Sequence, residues 1–187
     1  MPGDLHCHTR LSDGSMGIDD LIILAKKRGM DKIAITDHDC LAGTVRAKLI
    51  GERHGVTVIP GVELSATDSK RGKKAHLLCY LPDSPDRLEG LCRRNLLAQK
   101  RASQHMMIKV AKRYPTTPEL IIKCASGSTN VYRQHIMHAL MECGVADTVF
   151  GEIYNELFSR ESEVNVIVEP RFPEPLEILE AIHEAGG

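Results

Sequence analysis

The fold of this chain turns on residues 4–14, DLHCHTRLSDG. Residues 4–9 read as a short strand, and Asp13 and Gly14 turn the chain at its end. His6 and His8 stand two apart, so both side chains project to one face of that strand while Cys7 faces the other. Two imidazoles held this way make a rigid half-site for a metal ion, with Asp13 five residues further on. Taken alone, the stretch reads more readily as a polar strand end that contains histidine. The rest of the chain decides between the two.

Beyond residue 14, strands and helices alternate. Residues 18–28 carry apolar side chains at helical spacing, with Asp19 and Asp20 near the start and Gly29 closing the run. Residues 32–36 (KIAIT) form a buried-type strand ending in Asp37, His38 and Asp39. A helix over 41–54 ends at Gly55, and 56–59 is a third strand. Pro60 and Gly61 then lead into 62–65. A polar, basic loop spans 67–74, and 75–81 (AHLLCYL) is a fourth strand. This alternation implies a mainly parallel sheet or barrel. His6, His8, Asp37, His38, Glu63 and His76 all fall at expected strand C-terminal ends. In barrels of the triosephosphate isomerase kind that rim carries the active site.

The composition shifts after Pro85. A long basic helix is expected over 87–114, carrying Arg93, Arg94, Lys100, Arg101, Lys109, Lys112 and Arg113. Further helices are expected over 118–124, 131–143 and 147–158. Residues 164–168 read as a return to strand, and 175–184 as a last helix before Gly186 and Gly187. The expected organisation is a barrel part over 1–84, a helical insert over 85–160, and a return to the barrel over 161–187.

The bulk numbers fit an ordinary soluble globular protein. It has 187 residues, 42% hydrophobic and 26% charged, enough to bury a core without staples. Lys and Arg (24) nearly balance Asp and Glu (25), which argues against a general nucleic-acid or membrane surface. The six cysteines include no CxxC pair and read as reduced thiols of a cytoplasmic protein. No signal peptide or bilayer-length apolar run is evident. Nine histidines are the compositional oddity.

The candidate metal ligands are His6, His8, Asp13, His38, Glu63, His76 and His135. Imidazoles and carboxylates together suit zinc, manganese or iron. A carboxylate such as Glu63 is what a cluster of cations needs to offset its own charge repulsion. Three polar strand ends in one α/β sheet point to a shared purpose. Asp37 and Asp39 flank His38 as candidate partners that fix its tautomer. Cys7, Cys79 and Cys143 read as core thiols, His54 as a helix-end residue, and His105, His138 and His183 as surface positions. Lys70, Arg71, Lys73 and Lys74 form a solvated loop that could help to attract an anion.

DLHCHTRLSDG, IAITDHD, IPGVELSA and AHLLCYL, in that order, resemble the PHP (polymerase and histidinol phosphatase) family of metal-dependent phosphoesterases. The resemblance is closest to the branch that hydrolyses nucleoside 3′,5′-bisphosphates and the 5′ ends of short RNAs. It covers residues 4–81 and resumes at 131–144 (VYRQHIMHALMECG) and 175–187 (PLEILEAIHEAGG). It implies a distorted (β/α)7 barrel with two to three divalent ions (Mn, Zn or Fe). On this chain His6 and His8 would bind one ion, Glu63 would bridge two, His76 and His135 would serve the second, and Asp13 and His38 the third. Asp13 and His38 are also the candidate catalytic residues, and Arg133 resembles an arginine near the substrate phosphate. In the family the last segment is followed by a strand with a histidine and later by an Asp/His pair. This chain ends before both, so the C-terminal barrel strands are expected to be absent from it: a fragment of a longer protein is the favoured reading, and a shortened member with an incomplete site the other. The implied function is hydrolysis of a small phosphorylated substrate, a nucleotide or short RNA among the candidates, with no membrane and no stable nucleic-acid complex. An amidohydrolase-type metal hydrolase and a non-catalytic metal-binding module are the alternatives.

Overall fold

The computed structural model describes residues 2–187. Two compact units divide them: one ends at Leu96 and takes up Arg171–Gly187, and the other is Leu97–Pro170.

The first unit is an α/β fold on a mixed four-stranded sheet, ordered β1 (Gly3–Cys7), β2 (Lys32–Ile35), β3 (Thr57–Asp68), β4 (Lys73–Tyr80). β1 and β3 flank β2 in parallel. α1 (Ile18–Lys27) and α2 (Thr44–His54) are the crossovers that parallel pairing requires. α1 forms because Ile18, Ile22 and Ala25 make one apolar stripe. Its first turn carries Asp19 and Asp20 and its last Lys26 and Lys27, which suits the helix dipole. α2 buries Ala47 and Ile50 and stops at Gly55, which takes the left-handed conformation. These side chains pack with Ile33, Ile35, Val56 and Val58 into one core. A second core joins Val62, Leu64 and Cys79 to Leu88 and Leu91 of α3 (Asp86–Ala111) and to Ile178 and Ile182 of α7 (Pro175–Glu184).

Three expectations from the sequence need correcting. The third strand, expected over 56–59, does not stop ahead of Pro60 and Gly61. β3 runs through them and changes partner there, pairing with β2 up to Pro60 and with β4 from Gly61. A Cβ on Gly61 would lie 3.0 Å from both the Cys79 carbonyl and the Thr36 methyl, so glycine lets the neighbouring strands approach closely at the partner switch. The sheet is therefore mixed: β3 and β4 form an antiparallel hairpin from Gly61↔Tyr80 to Asp68↔Lys73. As a result Glu63 and His76 lie within long strands rather than at strand ends. Finally, 164–168 forms no strand. Val166 is buried in the apolar cluster of the second unit, and its N–H donates to the Leu157 carbonyl at 2.9 Å. A β-prone run without a partner strand satisfies itself locally.

The second unit is helical. The C-terminal part of α3, α4 (Pro118–Cys124), α5 (Arg133–Glu142) and α6 (Glu152–Phe158) bury Val110, Ile121, Ile136, Leu140 and Leu157 together. Thr117 caps α4 by accepting from Leu120 N at 3.2 Å, with Pro118 in the first turn. No helix among the described residues is long and apolar enough to cross a membrane.

Candidate metal centre

Glu63 is the hub of the polar cluster in the first unit. It is only 4% exposed, and imidazoles approach both its oxygens. His76 Nδ1 lies 2.7 Å from Oε1, while His6 Nε2 and His8 Nε2 each lie 2.9 Å from Oε2. His38 Nδ1 is 3.6 Å from the same oxygen. Asp13 closes the far side, with Oδ1 3.3 Å from His8 Nδ1 and Oδ2 3.8 Å from His38 Nε2. The rings of His6, His8, His38 and His76 follow one another with centroid separations of 5.0, 4.7 and 5.0 Å.

Local structure explains the convergence. Glu63 pairs opposite Leu78 in the hairpin, so His76, two residues along, is its diagonal neighbour on the same face. His38 and Glu63 meet through a single parallel bridge where β2 gives out. His8 stands just past the end of β1, and segment 9–14 then folds back over it. In that fold Ser12 N and Gly14 N both donate to the Thr9 carbonyl, at 3.1 and 3.0 Å.

The electrostatics reflect the geometry. Burial pushes the Glu63 carboxyl up, yet hydrogen bonds from His76, His8 and His6 outweigh it and hold the group well below the usual carboxylate range. Burial alone would lower His8. Its bond to Glu63 and the charges of Asp13, Glu63 and Asp37 raise it above its ordinary value instead. For His38 burial prevails over the nearby carboxylates, and its pKa is lowered.

Three overlapping sets of donors arise among the described residues: His6, His8 and Glu63; His8, Asp13 and His38; His38, Glu63 and His76. Within each set the donor atoms lie within 4.8 Å of one another. The donors are all nitrogen and oxygen, and two of the six residues are carboxylates. That chemistry fits divalent ions of the zinc, manganese or iron type. Cys7 belongs to none of the sets. Burial, with Asp4 beside it, pushes its thiol up to about 12, so it stays protonated.

Two further residues expected from the sequence in the ligand set and the substrate pocket lie in the second unit. His135 is buried in the first turn of α5, where its Nδ1 accepts from Tyr132 N at 3.0 Å. The Arg133 guanidinium stands 5.2 Å over the Phe158 ring.

Asp37 and Asp39 are expected from the sequence to serve His38. The structure engages their carboxylates elsewhere, on either side of it. Asp37 accepts from Thr9 N, Thr9 Oγ1 and Ser12 Oγ at 2.7, 2.7 and 2.6 Å. Asp39 accepts from Ser65 N, Ser65 Oγ and Asn95 Nδ2 at 3.1, 2.8 and 2.7 Å. Thr9, Ser12, Ser65 and Asn95 are all buried, and sequence reasoning singles out none of them. Thr9 and Ser12 lie inside the opening motif. Asn95 sits in a helix that reads as a basic, solvated face, where nothing marks it.

The chain matches the PHP domain over residues 4–185. It belongs to the PHP domain family. The PHP chain is 33% identical over 157 residues to a phosphoribosyl 1,2-cyclic phosphate 1,2-diphosphodiesterase of Eggerthella lenta, covering 83% of this chain and 60% of that protein. It is 28% identical to a 5′-3′ exoribonuclease of Haemophilus influenzae, over 98% of this chain and 65% of that one. Among solved structures, one described as a metal-dependent phosphoesterase from Bifidobacterium adolescentis superposes with a TM-score of 0.86 at 27% identity, over 99% of this chain and 64% of the other. The PHP chain thus spans 60–65% of the length of these relatives.

Proposed function

We propose that this PHP chain is part of a metal-dependent phosphoesterase that hydrolyses a phosphate ester of a nucleotide, an oligonucleotide or a small metabolite. The carrying observation is the Glu63 carboxylate met by three imidazole nitrogens within 2.9 Å, with His38 and Asp13 continuing the cluster. His6 and His8 would hold one ion, Glu63 would serve that ion and a second held with His76, to which family resemblance adds His135, and Asp13 and His38 would hold a third. Two to three ions of manganese, zinc or iron are proposed. Divalent ions there supply Lewis acidity toward the phosphoryl group and toward water.

The chain's own groups set the stage for that chemistry. Glu63 is ionised at every physiological pH and offers an oxygen on each side. Asp13 and His38 are the groups proposed to move a proton. Arg133 is the proposed contact to the substrate phosphate. The proposed architecture is a distorted (β/α)7 barrel in which 85–160 forms a helical insert. Six unpaired cysteines support a reducing, cytoplasmic setting.

Hydrolysis assays with Mn²⁺ test the reading, using a nucleoside 3′,5′-bisphosphate, a 5′-phosphorylated short RNA and a small amide. Phosphate release that needs metal and disappears in His6→Ala/His8→Ala is the expected result. Turnover of the amide alone would overturn it.

A further inference from the structure

The segment that carries Asp13 is held to the sheet by a carboxylate outside the donor sets. Asp37 is 2% exposed, and Thr9 and Ser12 are fully buried. All three hydrogen bonds to its carboxylate come from that one segment: Thr9 N and Ser12 Oγ to Oδ1, and Thr9 Oγ1 to Oδ2. Thr9 Oγ1 also accepts from Leu11 N at 3.1 Å, so the clamp reaches into the turn itself. Ser12 Oγ in turn lies 3.4 Å from both His8 Nδ1 and Asp13 Oδ1. The result is a continuous path from a buried carboxylate through one hydroxyl to two donor residues. At 2.6 Å Asp37 is the nearer of the two carboxylates that Ser12 faces, so the Ser12 proton goes there and a lone pair is turned toward His8. Ser12 Oγ and Asp13 Oδ1, 3.3 Å away, thus stand as acceptors on the Nδ1 side of His8, which would favour its proton on Nδ1 once Nε2 exchanges its contact with Glu63 for an ion.

We propose that Asp37 is a positioning residue: by pinning Thr9 and Ser12 it holds Asp13 in place and sets His8 to present Nε2. The inference rests on the reading of the cluster as a metal centre. It predicts that residues touching no ion govern the affinity of the His8/Asp13 side of the cluster, while His6, Glu63 and His76 keep their geometry.

The test is metal binding by the full chain, followed as free Mn²⁺ by electron paramagnetic resonance and as bound Zn²⁺ by elemental analysis after dialysis. Asp37→Asn, Ser12→Ala and Thr9→Val are compared with Thr9→Ser, which keeps the hydroxyl. Loss of such an outer partner weakens metal binding about 10–100-fold, and Thr9→Ser should restore wild-type affinity. Ser12→Ala, the mildest change, guards against a misfolded Asp37 variant. It should also shift the ¹⁵N resonances of His8 toward a mixed tautomer, which a purely structural role for Ser12 would not do. Wild-type affinity and an unshifted His8 in Ser12→Ala and Asp37→Asn would overturn the assignment of Asp37 while leaving the metal centre standing. A wild-type chain that binds neither metal would overturn both.

Discussion

Asp39 takes a left-handed backbone conformation, with φ at 49°, a region that aspartate and asparagine tolerate better than other side chains. The turn it makes aims its carboxylate inward, toward Ser65 and Asn95. Burial pushes that carboxyl up to about 6, although Asn95 and Ser65 donate to it. The folded state therefore holds this proton more tightly than the unfolded chain. The group's contribution to stability is greatest below 3.8 and is lost as pH rises toward 6. A pKa of about 6 against 3.8 is equivalent to about 3 kcal/mol. Asp39→Asn keeps the left-handed preference and one acceptor but cannot ionise. In metal-free buffer, urea unfolding should show wild type losing about 3 kcal/mol relative to the variant between about pH 3.5 and pH 7. A difference that stays constant with pH would place the Asp39 carboxyl in the ordinary range.

At the scale of elements, the loop between β1 and α1 matters most. Gly14 allows it to close: a Cβ there would lie 2.4 Å from the His8 carbonyl oxygen and 2.7 Å from its carbon. Both are backbone atoms and cannot swing aside. Gly14→Ala should therefore open the turn over His8, with a cost of about 1–3 kcal/mol typical of overpacking. Chemical unfolding measures that loss, and a variant as stable as wild type would show that the turn is not tightly closed. Much of this loop is legible in the sequence. Two histidines on one strand face, an Asp-Gly turn and an amphipathic helix have distinct periods and punctuation, and the helices and strands of the first eighty residues obey them. What is illegible depends on partners distant in sequence. Nothing local says that β3 passes through Pro60 by exchanging β2 for β4, or that 164–168 finds no strand to pair with. The six donor residues that gather in the first unit are visible because polar groups interrupt apolar strands. Asn95 is not, because one asparagine in a basic helix resembles any solvated residue until Asp39 is placed against it.

At the scale of the whole molecule, the groups of the cluster also engage one another: Glu63 is bonded to His6, His8 and His76, and Asp13 lies against His8. The two apolar cores of the first unit exist apart from it. Metal should therefore tighten a fold that already exists rather than create one, unlike small zinc domains that unfold without their ion. A ligand that binds only the folded state stabilises it by about 2.7 kcal/mol at one hundred times its dissociation constant. For a chain of this size that corresponds to a rise of about 5–10 °C in melting temperature. Chelator-treated protein should keep its far-ultraviolet circular dichroism yet melt lower, and Mn²⁺ or Zn²⁺ should restore the difference. His6→Ala/His8→Ala should keep the fold and lose most of the metal-dependent rise, because those substitutions remove donors from two of the three sets. A rise of equal size in that variant would move the ions to other residues. Collapse of the dichroism on chelation would mean instead that the imidazole–carboxylate contacts around Glu63 cannot hold the first unit together without an ion among them.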